Sequence, residues 1–324
     1  MQLKAIYELI EEDLAQVDGQ FKLLINDNDN TFPELRRMLN QILIAGKIVR
    51  PALTLLAGKF YNYNFEKLLP MATASELLHI ATLVHDDAID KASIRRGRPT
   101  INKIWGTDKA IILGDYLFAR AGESAAATEN LRVVRLFAQT LETISKGELK
   151  QSFSAFNFEQ TFDQYLQRVS GKTASLFAMA AESGAVLSNA PEESIQILKR
   201  YGFNLGIAFQ IIDDVLDFIG IEEEMGKPVG SDLIQGTITL PSLMLLELYP
   251  KDNPVKRHFQ NEGNKQENIT EAIELVVSSG IVDECYRVAL DYCTQARQGF
   301  ERLPNNSSRQ ALLKLTEYVV ERKK

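Results

Sequence analysis

Two short stretches, LVHDDAID at 83–90 and QIIDDVLD at 210–217, each place three carboxylates in sequence apolar enough to be core. Asp86 and Asp90 stand at i and i+4, so on a helix their carboxylates leave the same face and repel each other. Leu77, Leu78, Ile80, Ala81, Leu83 and Val84 lead into the first cluster. Phe209, Ile211, Ile212, Val215, Leu216 and Phe218 surround the second, which consists of Asp213, Asp214 and Asp217. Like charges crowded on a buried helix destabilise it unless a counter-charge arrives. Hard divalent cations with oxygen ligands supply one. Magnesium in particular is held by a few carboxylates together with water and substrate phosphate. A single such cluster reads equally well as a solvated acidic turn, but two in core-grade sequence point to a metal-diphosphate site.

The rest of the chain sets the scaffold. Apolar residues recur at three- and four-residue spacing, as in Leu131, Val134, Leu136, Leu141 and Ile144, so the expected class is all-α. Breaks rich in Gly, Pro, Asn and Asp fall at 26–33, 62–64, 95–99, 189–191, 226–230 and 250–254 and divide the chain into roughly ten to twelve helices. None is long enough to be a linker, so residues 1–324 are expected to form one domain. The formal net charge of −7 excludes a general basic field for nucleic acid, and any anionic ligand must meet a local basic cluster. Cys285 and Cys293 are too few for a zinc knuckle or disulfide framework and read as buried thiols. The acidic, amphipathic N-terminus is unlike a signal peptide, and no apolar run reaches the ~20 residues of a membrane span, so a cytoplasmic location is expected.

Basic residues sit where a diphosphate site needs them. ASIRRGRPT follows the first cluster with Arg95, Arg96 and Arg98, AGKIVRP carries Lys47 and Arg50, SGKTASLF carries Lys172 and Thr173, and MGKPVGSDL carries Lys227 and Asp232. Guanidinium groups bind phosphate through paired hydrogen bonds.

In this order and spacing, from AGKIVRP through LLHIATLVHDDAIDKASIRRGRPT and GKTASLF to FQIIDDVLDFIGIEEEMGKPVGSDLIQGTITLP, the chain resembles the trans-prenyl diphosphate synthases, or polyprenyl synthetases. The resemblance implies a single helical bundle of the isoprenoid synthase type around a deep central cavity. It implies condensation of isopentenyl diphosphate with an allylic diphosphate, and about three Mg²⁺ ions per site held by Asp86, Asp87, Asp90, Asp213, Asp214 and Asp217. By the same resemblance Arg95, Lys172 and Lys227 grip the allylic diphosphate. Gly46, Lys47, Arg50, His79 and Arg96 hold isopentenyl diphosphate, and Thr173 and Gln210 lie near the reacting carbons. His85 is structural. A homodimer, or a heterodimer with a small regulatory subunit, is implied.

Two departures stand out: Ala45 and Ile48 occupy positions where the family usually has Gly and Arg, and Thr237 stands where short-chain members carry Lys. Behind the first cluster, Ala81 and Thr82, then Leu78, are small or aliphatic where farnesyl-type relatives place aromatic floors. At about 5.4 Å per helical turn this predicts a product of roughly six to nine isoprene units, resembling those made for quinone side chains. A short-chain product, or a chain inactive without its partner, is the alternative. A terpene cyclase is disfavoured because its second motif contains Asn and Ser, whereas DDVLD stands here.

Overall fold

The computed structural model describes residues 3–26, 32–43, 48–95, 97–221 and 228–322. Gly46, Lys47, Arg96 and Lys227, with Ala45, lie outside them. The described chain is helical apart from a two-stranded hairpin. Its main helices are α1 (Glu11–Asn26), α2 (Pro33–Ile42), α3 (Val49–Gly58), α4 (Phe65–Ile89), α5 (Thr107–Ala126), α6 (Leu131–Phe153) and α7 (Phe162–Val169). They continue with α8 (Ser175–Leu187), α9 (Glu192–Ile219), α10 (Leu240–Leu248), α11 (Lys265–Ser278), α12 (Ile281–Arg297) and α13 (Ser307–Glu321). These thirteen main helices among the described residues already exceed the expected ten to twelve, and short helical turns such as Ile101–Trp105 and Pro254–Phe259 add further segments.

Asparagine marks many of the starts. The side chain of Asn64 accepts from the Lys67 amide, Asn130 from Arg132 and Val133, Asn264 from Gln266 and Glu267, and Asn306 from Arg309. Each meets amides that have no partner within the helix. At α7 the Thr161 and Gln164 side chains each accept from the other's backbone amide. The expected all-α class holds, with one small exception: Ile94–Arg95 and Arg98–Pro99 pair antiparallel across Gly97 (φ 72°) as β1 and β2. Four residues with one glycine carry too little pattern to announce a strand.

α4 packs on α3 and α5, α8 on α3, α6 and α9, and α9 on α12, so the two aspartate helices flank a central pair. Glycine permits the closest of these crossings. A Cβ on Gly184 would lie 2.1 Å from the Thr54 carbonyl oxygen; on Gly202, 2.4 Å from that of Phe177; on Gly206, 2.7 Å from the Ala174 Cα. These obstacles are backbone and cannot swing aside. Gly184→Ala is therefore expected to cost about 3 kcal/mol of stability through overpacking between α8 and α3. Urea unfolding checks this, and a loss below about 1 kcal/mol would mean that the helices can slide apart.

Candidate active site

Both aspartate clusters occupy the last turns of their helices, where the helix dipole is already negative and neither helix places a basic residue. Cations must come from elsewhere in the chain. Arg95, on β1, donates through Nε to both oxygens of Asp87 at 2.8 and 2.9 Å. Lys172 Nζ lies 3.1 Å from Asp86 Oδ2 and 2.7 Å from Glu148 Oε1. Arg322, directly after α13, reaches Asp213 at 2.6 Å while its guanidinium stacks 4.0 Å over the Phe209 ring. Burial pushes the carboxyls of Asp87, Asp90 and Glu148 up despite these partners. Two carboxylates outweigh burial at Lys172 and hold its ammonium well above the ordinary lysine range.

Lys172 and Thr173 lie on a π-helical turn, Ser170–Ala174, between α7 and α8. Such an insertion rotates side chains off the regular helical register. Here adjacent residues reach opposite sides: Lys172 goes to Asp86 on α4, while Thr173 Oγ1 donates to Gln210 Oε1 on α9 at 2.6 Å. The turn packs on α6 where Gly147 and Gly171 meet, and a Cβ on Gly171 would lie 3.7 Å from the Gly147 Cα, an ordinary contact distance. Burial chiefly raises Asp90 and Asp214, and the Asp232 carboxylate adds to the rise in both, one from each cluster. The two aspartate helices therefore converge on one site.

The six carboxylates are not equivalent. Asp86, Asp87, Asp90 and Asp213 face the basic side chains or solvent, and the Asp213 side chain is 42% exposed. Asp214 and Asp217 are almost wholly buried, and protein donors already engage them. Asp214 accepts from Tyr165 and Gln210, and burial pushes its carboxyl up to about 7. Asp217 accepts from the Asp232 amide at 3.1 Å and so anchors the returning segment.

Elsewhere, Arg50 stacks 4.9 Å from the Phe177 ring, and His79 and Thr82 are partly accessible on α4, the Thr82 hydroxyl donating to the His79 carbonyl. Ala81 and Leu78 are fully buried. His85 is structural, as expected: it contacts the Ile111 carbonyl at 2.9 Å and packs edge-on to Phe118. Cys285 and Cys293 are buried free thiols. A groove of about 1100 Å³ between α6, α7 and α8 is lined by none of the six clustered aspartates. Sequence reasoning missed Glu148, Tyr165 and Arg322, none of which carries a local signal of its role.

Among the described residues no three His, Cys, Asp or Glu side chains are gathered into a closed cation cage. The donors are aspartate oxygens now matched by basic side chains, which fits a hard divalent ion that completes its shell from water and phosphate.

An all-α chain whose paired aspartate helices meet a lysine turn and an arginine hairpin belongs to the metal-dependent, diphosphate-handling class. More narrowly, residues 32–276 match the polyprenyl synthetase model, and the chain belongs to that family. It is 37% identical to heptaprenyl diphosphate synthase component 2 of Geobacillus stearothermophilus, covering 99% of both chains. A heptaprenyl diphosphate synthase from Staphylococcus aureus superposes with a TM-score of 0.90 at 34% identity, over 97% of this chain and 99% of that one. A polyprenyl synthase from Caulobacter crescentus, complexed with calcium and isoprenyl diphosphate, superposes with a TM-score of 0.91 at 31% identity, over 100% and 98%. The protein is thus a prenyltransferase, a polyprenyl diphosphate synthase of a family that uses divalent metal to bind diphosphate. No helix among the described residues is long and apolar enough to cross a membrane.

Proposed function

We propose that this chain, acting as one domain over residues 1–324, condenses isopentenyl diphosphate with farnesyl or geranylgeranyl diphosphate to give a long all-trans polyprenyl diphosphate for quinone side chains. The observation that carries this reading is the π turn, on which Lys172 serves the first aspartate helix and Thr173 the second. A diphosphate placed there meets Lys172 and Arg95, and both cations stabilise the negative charge that grows as the allylic carbon–oxygen bond breaks. Asp86, Asp87, Asp90 and Asp213 would hold about three Mg²⁺ ions, which would further neutralise that leaving group.

Arg50, His79 and the basic residues at 47 and 96 hold isopentenyl diphosphate, whose double bond attacks the allylic cation. The proton is then lost to the departed diphosphate. Apolar α4 and α8 keep water from the cation. The exposed Ile104, Ile111 and Ile112 around the start of α5 favour a second subunit there, either a copy of this chain or a small partner.

Purified protein with Mg²⁺, isopentenyl diphosphate and farnesyl diphosphate is expected to give a product ladder ending at about six isoprene units or more, read by chromatography of the dephosphorylated alcohols. A ladder ending at geranylgeranyl length would overturn the long-chain reading. No turnover until a partner subunit is added would overturn activity as a homodimer.

A further inference from the structure

Asp214 is among the most deeply buried of the six carboxylates, and it sits at the centre of a hydrogen-bond chain that crosses three elements. The Tyr165 hydroxyl on α7 donates to Asp214 Oδ2 at 2.7 Å. Gln210 Nε2 donates to Asp214 Oδ1 at 2.8 Å, and Gln210 Oε1 accepts from Thr173 at 2.6 Å. The residue before Thr173 is Lys172, already on Asp86. Tyr165, Asp214, Gln210 and Thr173 thus connect α7 to the turn that faces the diphosphate.

Packing does not explain the hydroxyl. The Tyr165 ring has no accessible surface and is held by Phe162, stacked at 6.1 Å, and by the Arg168 guanidinium at 5.5 Å. Phenylalanine would fill the same space without burying a polar group, which is costly unless that group is hydrogen-bonded. Nor does Asp214 have an oxygen left over: both are taken by neutral donors, one from each side. Neutral donors fix a carboxylate's direction without cancelling its charge. The side chain is therefore held still between them.

We propose that Tyr165 is a positioning residue for prenyl transfer. By fixing Asp214, it sets the Gln210 amide and, through Thr173, the π turn that presents Lys172, so that the diphosphate end of the site is built before substrate arrives. The inference rests on the prenyl-transfer reading of the same site.

Tyr165→Phe in the full chain is expected to weaken inorganic diphosphate binding about ten-fold in saturating Mg²⁺, the scale of one lost hydrogen bond to a charged group. Calorimetry measures this without turnover. Thr173→Val cuts the other end of the chain, and the double variant is expected to bind no more weakly than the worse single, since both cut one network. Phe162→Leu, which disturbs the ring and spares the hydroxyl, is expected to leave diphosphate affinity unchanged. Additive losses in the double variant, an unchanged affinity in Tyr165→Phe, or a Tyr165→Phe chain that no longer folds would each overturn the proposal. If the wild type binds diphosphate but never elongates a prenyl chain, it is the prenyl-transfer reading that fails, and the coupling result stands apart from it.

Discussion

Lys172→Ala is expected to lower kcat by about 10²- to 10³-fold, the scale for removing one preorganised charge from a developing anion. The side chain lies between Asp86 and Glu148, and its own burial disfavours the ammonium; the two carboxylates keep it charged. Without it those carboxylates face each other across the site with no cation, and burial already raises Glu148. Metal binding would relieve that repulsion, so the loss should concentrate in the chemical step once Mg²⁺ is saturating. Lys172→Arg keeps the charge but spreads it over a planar fork, and an intermediate rate is expected. Steady-state kinetics at saturating Mg²⁺ with both substrates varied decides the matter. A fall of less than about ten-fold would show that Arg95 and the metal ions suffice at the leaving group.

Much of this site was legible in the sequence because its parts announce themselves locally. Two acidic triplets in apolar sequence, an arginine-rich turn and a lysine after glycine were enough to indicate metal, diphosphate and class. The helices were legible for the same reason, from apolar period and from asparagines and prolines at their starts. What stayed hidden depends on distance along the chain. Arg322 meets Asp213 across more than a hundred residues, and Tyr165 meets Asp214 across about fifty, with nothing in either neighbourhood to signal the pairing. The π turn was also invisible, since nothing in SGKTA distinguishes it from the start of a regular helix. Sequence also made the six aspartates look alike. Burial divides them, with Asp213 at the surface and Asp214 and Asp217 turned to hydroxyl, amide and backbone donors.

Thr82→Phe is expected to cut the product to about three isoprene units. His79, Thr82 and Asp86 lie at three- and four-residue spacing along one stripe of α4; His79 and Thr82 are partly accessible, and every residue from Met71 to Leu78 is buried. A chain anchored at Asp86 and growing along that stripe passes Thr82 first, about 6 Å back, near the length of one extended isoprene unit. A ring there meets the tail almost at once. Ala81, which sequence alone ranks equally, is wholly buried, so Ala81→Phe is expected to cost about 1–3 kcal/mol by overpacking instead of closing a passage cleanly. The choice of primer separates a new floor from simple damage. Thr82→Phe should elongate dimethylallyl or geranyl diphosphate at near wild-type rate yet fail with farnesyl diphosphate, which no longer fits. An unchanged product ladder would place the tail on another face of α4, and equal loss with every primer would mean that the ring disturbs the aspartates one turn away.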